Sequence, residues 1–152
     1  MERVLRATLP HGAFRDVSPA RSRAMGKVRG KGNKSTETRL RFGLVSAGIH
    51  GWRLHPNDIT GRPDFYFTKE RLAVFVDGCF WHGCSKCGHV PKTNSVFWKT
   101  KLERNRMRDR RQTRTLKEQG IVVIRFWEHE LGESLTNCVE KVRTHMVEPT
   151  KK

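Results

Sequence analysis

Two short apolar segments constrain the fold of this chain most, because they are its longest candidates for a buried core. They are Leu72–Val76 and Ile121–Ile124, and their lengths suit buried β-strands, not membrane spans. The segment Ile121–Trp127 is almost continuously apolar, which predicts a central strand covered on both faces. Only 36% of the 152 residues are hydrophobic, so we expect one domain with a small core and no integral membrane segment.

Turn residues and helical spacing predict the remaining elements. A helix is expected from Ser35 to Gly48, with Glu37 in its first turn, where the helix dipole favours a carboxylate. The resulting order of elements predicts an α/β fold with a mixed central sheet flanked by helices. Besides Ile121–Trp127, the predicted strands are residues 51–54, 63–67 and 71–77, and the later helices are residues 95–119 and 133–146.

The charge of the chain points to a polyanionic partner. Lys and Arg number 31 against 15 Asp and Glu, a formal net charge of +16. Nucleic acid is the first expectation, ahead of an anionic membrane, because no strongly amphipathic basic helix stands out. A solvated cationic surface without a partner is the plain alternative, since charge alone names no activity.

The basic residues fall into two clusters. Residues 1–34 hold nine Lys and Arg and lack apolar periodicity, which predicts a flexible basic arm ahead of a single domain at residues 35–148. The arm could follow a phosphate backbone or be a merely disordered terminus. The second cluster lies on the long helix between Lys99 and Lys117. The first 25 residues lack the apolar stretch of a secretory signal, so a cytoplasmic protein is expected.

A loop rich in cysteine and histidine follows the strand that ends at Asp77. Cys79, Cys84 and Cys87 lie within nine residues, and the last two have the CxxC spacing that binds one zinc ion. A tetrahedral site needs a fourth ligand, for which His129 and the local His89 are the candidates. Three free cysteines are the alternative, but a long loop with little apolar content favours a structural zinc.

Two aspartates are candidates for a catalytic cation site. Asp64 begins a strand of aromatic residues, where aspartate is disfavoured, and Asp77 ends the neighbouring strand. If these strands pair, the carboxylates approach each other, and Mg²⁺ prefers such oxygen ligands together with water and phosphate. The structural alternatives are a turn residue before Gly78 for Asp77 and a hydrogen-bonding role for Asp64.

Several motifs in the same order resemble the very short patch repair (Vsr) DNA mismatch endonucleases. The resemblance covers residues 22–131 and implies a restriction-endonuclease-like three-layer fold with a zinc-held loop. It also implies Mg²⁺-dependent nicking 5′ to the thymine of a T:G mismatch left by deamination of 5-methylcytosine. The motifs are Gly61-Arg62-Pro63-Asp64-Phe65, Gly78-Cys79-Phe80-Trp81-His82, Val90-Pro91, Phe97-Trp98, Arg108-Asp109-Arg110-Arg111 and Trp127-Glu128.

The resemblance assigns catalytic roles by position. Asp64 matches the central metal-binding aspartate, and Val76 falls where a main-chain carbonyl assists the metal. His82 matches the histidine that activates water, although a zinc-ligating or packed His82 is the alternative. Glu37 matches a helical glutamate near the metals, and Asp109 an aspartate close to the active-site histidine.

The resemblance also assigns the residues that open the duplex. Phe80, Trp81 and Trp98 match aromatic wedges beside the mismatch, and Met25 matches an intercalating methionine of the arm. For the three aromatic residues, packing within the domain is the alternative. The implied partner is double-stranded DNA with a T:G mismatch, acted on by a monomer at the nucleoid together with mismatch-repair proteins.

The chain departs from the family pattern at the candidate catalytic site and in the zinc loop. Asp77 stands where better-known members carry a second histidine, so it could add a metal ligand or replace a base. Cys84 stands where histidine is common and His129 where cysteine is common, and these compensating changes support His129 as the fourth ligand. A related nicking or restriction-type nuclease and a non-catalytic zinc-stabilised DNA-binding module are the alternative functions.

Overall fold

Four β-strands form one mixed sheet in the computed structural model, which describes residues 34–146. The strands lie side by side in chain order, with the first two pairings antiparallel and the last one parallel. The elements are α1 (Lys34–Ser46), β1 (Trp52–Leu54), β2 (Phe65–Phe67), β3 (Leu72–Asp77), α2 (Ser95–Glu118), β4 (Val122–Trp127), α3 (Glu128–Glu133) and α4 (Leu135–Arg143).

Helices cover both faces of this sheet. On one face, Leu40 and Leu44 of α1 and Val142 of α4 pack in one buried cluster with Phe65 and Phe126. On the other face, Leu116 of α2 packs in a second cluster with the strand residues Tyr66, Ala73 and Phe75. The side chains of a strand point alternately to its two faces, which explains why β3 contributes to both clusters. The mixed three-layer α/β fold expected from the sequence is therefore confirmed.

The expected position of the last strand is wrong. β4 pairs with β3 and lies at an edge of the four-stranded sheet, where Val122 is 43% exposed. Its apolar run has another cause. Ile124 and Phe126 face the cluster that contains α1 and α4, whereas Val123 packs in the cluster that contains α2. Because helices cover both faces of the sheet, even an edge strand carries apolar residues on both of its faces.

The end of the domain also differs from the single helix expected over residues 133–146. α3 begins directly after β4, where the Glu130 carboxylate accepts a hydrogen bond from the N–H of Trp127 at 2.7 Å. Ser134 then separates α3 from α4, and its hydroxyl accepts from the N–H of Asn137. By contrast, α1 ends before Gly48, as expected, and this glycine has a left-handed φ of 73°.

The strand directions bring several polar residues to one end of the sheet. β1 ends opposite the start of β2, and the parallel strands β3 and β4 end together, with Asp77 beside Trp127. Residues that follow β1, β3 and β4, or precede β2, therefore meet at this end, which we call the site end. The predicted arm, with Met25, lies outside the described residues except for Lys34. Within residues 34–146, no helix is long and apolar enough to cross a membrane.

Candidate active site and candidate metal centre

A tight turn delivers Asp64 to the site end. Gly61 and Arg62 both adopt left-handed backbone conformations, with φ of 78° and 47°, and Pro63 behind them is fully buried. Asp64 is 5% exposed, and its Oδ2 accepts a hydrogen bond of 2.7 Å from the N–H of Val76. This bond fixes the carboxylate beside the backbone of β3, and it places Val76 next to Asp64.

Asp64 belongs to a group of three side chains that could hold a cation. The other two are Glu37 of α1 and His55, the residue after β1. His55 Nε2 lies 2.9 and 3.0 Å from the two Glu37 carboxylate oxygens, and its Nδ1 lies 3.7 Å from Asp64 Oδ1. The structure thus brings together Asp64 and Glu37, the two acids that the resemblance placed near the metals, and adds His55, which the sequence analysis did not single out.

His82 lies in a second polar group, where it is 5% exposed. Its Nδ1 is 2.6 Å from Asp109 Oδ2 on α2, and Arg108 donates to the other carboxylate oxygen of Asp109 at 3.2 Å. Burial opposes ionisation of Asp109, but the hydrogen bond from His82 and the charge interactions with His82, Arg125 and Arg108 together outweigh it and lower the pKa of Asp109. An ionised Asp109 holds the proton of His82 on Nδ1 and leaves Nε2 as the basic nitrogen.

Asp77 belongs to this second group and not to the group of Asp64. Its carboxylate accepts hydrogen bonds from Arg125 Nη1 at 3.1 and 3.2 Å and lies 3.7 Å from His82 Nδ1. Strand alternation explains the direction of Asp77: Val76 packs towards α1 and α4, so Asp77 faces α2. Asp64 lies in the turn before β2, and its carboxylate instead meets Glu37 of α1 and His55.

Arg125 is fixed on several sides, although no motif in the sequence singles it out. Its Nε donates to Thr113 Oγ1 at 2.9 Å, and its guanidinium lies 4.1 Å from the ring centre of Phe75, the residue opposite it on β3. A lone arginine in an apolar strand is the signal that could have found it, because a buried cation needs an acidic partner.

Three cysteines and one histidine surround a common point beyond the strand ends. His129 Nδ1 lies 3.3 Å from Cys79 Sγ, 3.6 Å from Cys84 Sγ and 3.3 Å from Cys87 Sγ, and the last two sulfurs are 3.7 Å apart. Tetrahedral zinc, with Zn–S about 2.3 Å and Zn–N about 2.0 Å, separates S and N by about 3.5 Å and two sulfurs by about 3.8 Å. The donor set therefore fits zinc.

The ionisation of the thiols also favours a cation at this point. Hydrogen bonding with Cys79, together with burial and the neighbouring Cys84 thiol, raises the pKa of Cys87 to about 12. A bound dication is what allows all three sulfurs to be thiolates near neutral pH. Within the described residues, the group of potential ligands contains His129 and not His89, whose ring lies 5.7 Å from that of Phe80.

The loop that carries these ligands depends on two glycines. A Cβ at Gly88 would collide with the carbonyl oxygen of Cys84, and Gly83, with φ of 65°, lies against the guanidinium of Arg106. Arg106 donates to the Gly83 carbonyl at 2.6 Å, and Asn105 donates to the carbonyl of Trp81 at 2.8 Å. The loop is thus tied both to the ligand cluster and to α2.

Next to His82, aromatic rings form a partly exposed cluster. The rings of Phe80, Trp81 and Trp98 pack edge to face, with centres 5.1 to 6.0 Å apart. All three are half-buried, and Lys101 Nζ lies 5.0 Å from the Trp81 ring. We call Phe80, Trp81 and Trp98 the aromatic cluster. Because α2 carries Trp98 and the loop carries the other two, their contact forms only in the folded chain.

A basic groove of about 940 Å³ lies between α2 and the ends of β3 and β4. His82, Asp77 and Asp109 line it, so the histidine faces a space large enough for a ligand. The groove also has a row of basic side chains from α2, suited to phosphate groups. They are Arg106, Arg110, Arg114 and Lys117.

Together, this fold and this site define a class of protein, the metal-using nucleases of the restriction-endonuclease-like fold. A mixed sheet with acids and histidines at one end and a basic groove beside them is suited to phosphodiester hydrolysis. The profile of DNA mismatch endonuclease Vsr matches residues 16–88.

Relatives of known name extend the match over most of the chain. It is 42% identical over 117 residues to the type II nicking enzyme V.NmeDIP of Neisseria meningitidis serogroup C, covering 73% of this chain and 78% of the relative. Identity is 41% over 134 residues with the type II nicking enzyme V.NaeI of Lentzea aerocolonigenes, covering 86% of this chain and 80% of the relative. It is 36% over 114 residues with the DNA mismatch endonuclease Vsr of Escherichia coli K12, covering 69% and 72%.

The chain therefore belongs to the Vsr DNA endonuclease family, and it is a DNA endonuclease, not a non-catalytic binding module. The resemblance inferred from the sequence motifs is confirmed at the level of the family, and the family implies the use of a divalent metal. Of the residues assigned by that resemblance, all lie in the described part of the chain except Met25.

Proposed function

We propose that this endonuclease uses Mg²⁺ to nick DNA 5′ to the thymine of a T:G mismatch, the lesion left by deamination of 5-methylcytosine. The observation that carries the proposal is the position of His82. It is held by Asp109 on one side and follows directly on Phe80 and Trp81 of the aromatic cluster. The group that would activate water is thereby adjacent in the chain to the rings that would open the duplex.

Glu37 and Asp64 would hold the catalytic Mg²⁺, with the main-chain carbonyl of Val76 as the third expected ligand. Asp64 is well suited because it is buried and its Oδ2 is already fixed by the N–H of Val76. When bound, the ion would polarise the scissile phosphate and stabilise the developing negative charge. The carboxylates would contribute by fixing the position of the ion, and therefore the place at the sheet where that charge develops.

His82 would act as the general base. Asp109 Oδ2 accepts a hydrogen bond from Nδ1–H, with 2.6 Å between the two heavy atoms, so Nε2 is left to take a proton from the attacking water. Asp77 would complete this group as a catalytic residue by supporting His82 from 3.7 Å, with its own charge balanced by Arg125. Asp77 then serves the base and not the cation.

The aromatic cluster would provide the preference for a mismatch. Rings inserted beside a base step unstack it at a cost of a few kcal/mol, and the cost is lower where the pair is already mismatched. Phe80, Trp81 and Trp98 are partly exposed and pack on one another, so they could enter the duplex as one unit. Met25 would insert from the arm, residues 1–34.

Zinc would hold the loop that presents these groups. The zinc would lie at the end of the sheet, and its ligands would be Cys79, Cys84, Cys87 and His129. The first two of these cysteines flank His82 in the chain. The zinc has a structural role in this proposal, because the four protein ligands leave no open position for substrate.

The remaining expectations complete the proposal. The domain, residues 35–148, would act as a monomer on nucleoid DNA in the cytoplasm, and its nick would be passed to mismatch-repair proteins. The basic residues of α2 and of the arm would grip the DNA backbone, as the net charge of +16 suggests.

A cleavage assay tests the proposal. Purified full-length protein, loaded with zinc, is incubated with Mg²⁺ and end-labelled duplexes that carry one T:G mismatch, a T:A pair or a branch. We expect a single nick 5′ to the mismatched thymine, at a rate at least about 100-fold lower in Asp64→Asn, because the cation loses a ligand. Binding of the duplex by this variant should be unchanged in a gel-shift assay.

Asp58→Asn is the matched control, because Asp58 is an exposed carboxylate near the same turn that pairs with Arg53. This variant should nick at the wild-type rate. Full activity of Asp64→Asn would refute the assigned mechanism, and equal nicking of the T:G and T:A duplexes would refute the proposed substrate.

A second target is favoured by the names of the relatives. V.NmeDIP and V.NaeI are both called type II nicking enzymes, so a nicking enzyme with a defined sequence context is the alternative within the same family. Placing the T:G mismatch in a series of flanking sequences would separate the two. Nicking in one context alone indicates a sequence-specific enzyme, and nicking of that context without a mismatch indicates another target.

A further inference from the structure

His55 occupies a position that its backbone does not favour. It has φ of 45°, a left-handed conformation that is strained for a residue other than glycine, and it precedes Pro56, which disfavours helical conformations further. Its N–H donates to the Asp64 carbonyl at 3.4 Å, one step beyond the last pair of β1 and β2, Leu54 and Phe65. The backbone therefore holds His55 directly opposite Asp64.

The imidazole of His55 bridges the two carboxylates of the candidate cation site. Nε2 contacts both oxygens of Glu37, whereas Nδ1 is 3.7 Å from Asp64 Oδ1, beyond hydrogen-bonding distance. Potential ligand atoms of the three residues all lie within 4.8 Å of one another. The side chains of Glu37 and Asp64 are only 15% and 7% exposed, so the two carboxyl groups lie close together with little water around them.

A cation placed among these three side chains would meet one nitrogen and two or more oxygens. Mg²⁺ is served best by oxygen ligands and water, whereas an imidazole nitrogen is a better ligand for first-row transition metals. An all-oxygen site would need no histidine at this position. The donor set thus indicates which divalent cation the site prefers, a property that carboxylates alone would not fix.

We propose that His55 is a third side-chain ligand of the catalytic cation and that it makes this site bind Mn²⁺ more tightly than Mg²⁺. The inference rests on the proposed function only in taking Glu37 and Asp64 as the cation site. It adds a ligand to that site and names the class of ion that the ligand selects.

Binding of the metal alone tests this proposal without an activity assay. Full-length zinc-loaded protein is titrated with Mn²⁺, with free Mn²⁺ measured by electron paramagnetic resonance, and Mg²⁺ affinity is obtained by competition. We expect His55→Gln to weaken Mn²⁺ binding about tenfold or more and to change Mg²⁺ binding less than twofold. His50→Gln is the matched control, because this nearby exposed histidine stacks on Trp52 and should leave both affinities unchanged.

A spectroscopic measurement on the wild-type protein covers the case in which His55→Gln does not fold. Electron spin echo envelope modulation of bound Mn²⁺ should show coupling to a ¹⁴N nucleus of imidazole, and Asp64→Asn should abolish the bound signal. Absence of nitrogen coupling in the wild type would overturn the proposal. Equal weakening of Mn²⁺ and Mg²⁺ in His55→Gln would overturn it too, since His55 would then only position the carboxylates.

The outcomes also separate this inference from the proposed function. Bound Mn²⁺ with nitrogen coupling in a protein that nicks no T:G duplex would support His55 as a ligand and refute the substrate. Efficient T:G nicking without nitrogen coupling would support the proposed substrate and refute His55 as a ligand.

Discussion

At the scale of single residues, the site depends on pairs of polar side chains that are hydrogen-bonded to each other and largely buried. His82 and Asp109 are the clearest case, with 2.6 Å between Nδ1 and Oδ2 and with 4% and 14% of the two side chains exposed. Asp77 and Arg125 form the second pair. Such pairs fix orientation, and removing one member leaves the other uncompensated.

The pair of His82 and Asp109 predicts a dependence of stability on pH. Because the pKa of Asp109 is lowered in the folded protein, its contribution to stability is complete above the ordinary carboxyl pKa and is lost as the pH falls through the lowered value. We expect Asp109→Asn to cost about 1–3 kcal/mol at pH 7 and to flatten the decline of unfolding free energy below pH 5. Urea unfolding between pH 3 and 7 measures both effects.

Asp58→Asn serves as the comparison at this scale as well. Asp58 also has a lowered pKa, through its hydrogen bond with Arg53, but its side chain is exposed, so its removal should change stability little. If Asp109→Asn and the wild type lost stability in parallel as the pH falls, the charge of Asp109 would not contribute in the way described.

At the scale of elements, the loop between β3 and α2 is held at both ends by contacts that are distant in sequence. Its cysteines meet His129, the second residue of α3, because β3 and β4 are parallel and end side by side. Its carbonyls at Trp81 and Gly83 accept hydrogen bonds from α2. The loop therefore has a fixed shape without a regular secondary structure of its own.

The ligand geometry predicts different results for His129 and His89, the two candidates for the fourth zinc ligand. His129→Ala should lose zinc and lower the melting temperature by about 10 °C or more, since binding of a structural zinc is part of the folding free energy. His89→Ala should keep one zinc per chain, because His89 lies against Phe80 and outside the ligand group. Zinc content by atomic absorption and thermal unfolding provide the two measurements.

The reverse result would assign the fourth ligand to His89. Cys138→Ser adds a control for loss of a buried thiol, because Cys138 packs in the core with Val139 and Val142. Its zinc content should equal that of the wild type even if the variant is less stable.

At the scale of the whole molecule, a row of basic side chains lies along a groove where a polyanion can bind. Arg106, Arg110, Arg114 and Lys117 line one side of the groove that His82 also faces. Neutralising DNA phosphates releases condensed counterions, so the affinity of such a surface for DNA depends steeply on salt.

This arrangement predicts the effect of removing charge on the affinity for DNA. The double variant Arg110→Ala and Arg114→Ala should lower the slope of log K against log salt by about 0.9 for each phosphate that is no longer neutralised, or about 1.8 in total. Fluorescence anisotropy with a paired duplex between about 50 and 200 mM salt measures the slope. Lys69→Ala is the control, because Lys69 is exposed in the turn between β2 and β3, away from the site end. An unchanged slope in the double variant would exclude the groove from the DNA interface.

The sequence by itself determined which reactive and metal-binding side chains the protein carries, and much of its local structure. Helix α2, the strands of the sheet and the cysteine spacing follow from periodicity and local ligand geometry, which depend on near neighbours in the chain. Six motifs in the order of the family, from Gly61 to Glu128, indicated the family. Only the tertiary structure decided which of these side chains meet.

Strand order placed β4 at an edge, and strand alternation directed Asp77 to the face that carries Arg125. The antiparallel pairing of β1 and β2 brought His55 opposite Asp64 and beside Glu37. The physical reason is that a strand's pattern shows which residues share a face, whereas the identity of its neighbours depends on register and packing across the sheet.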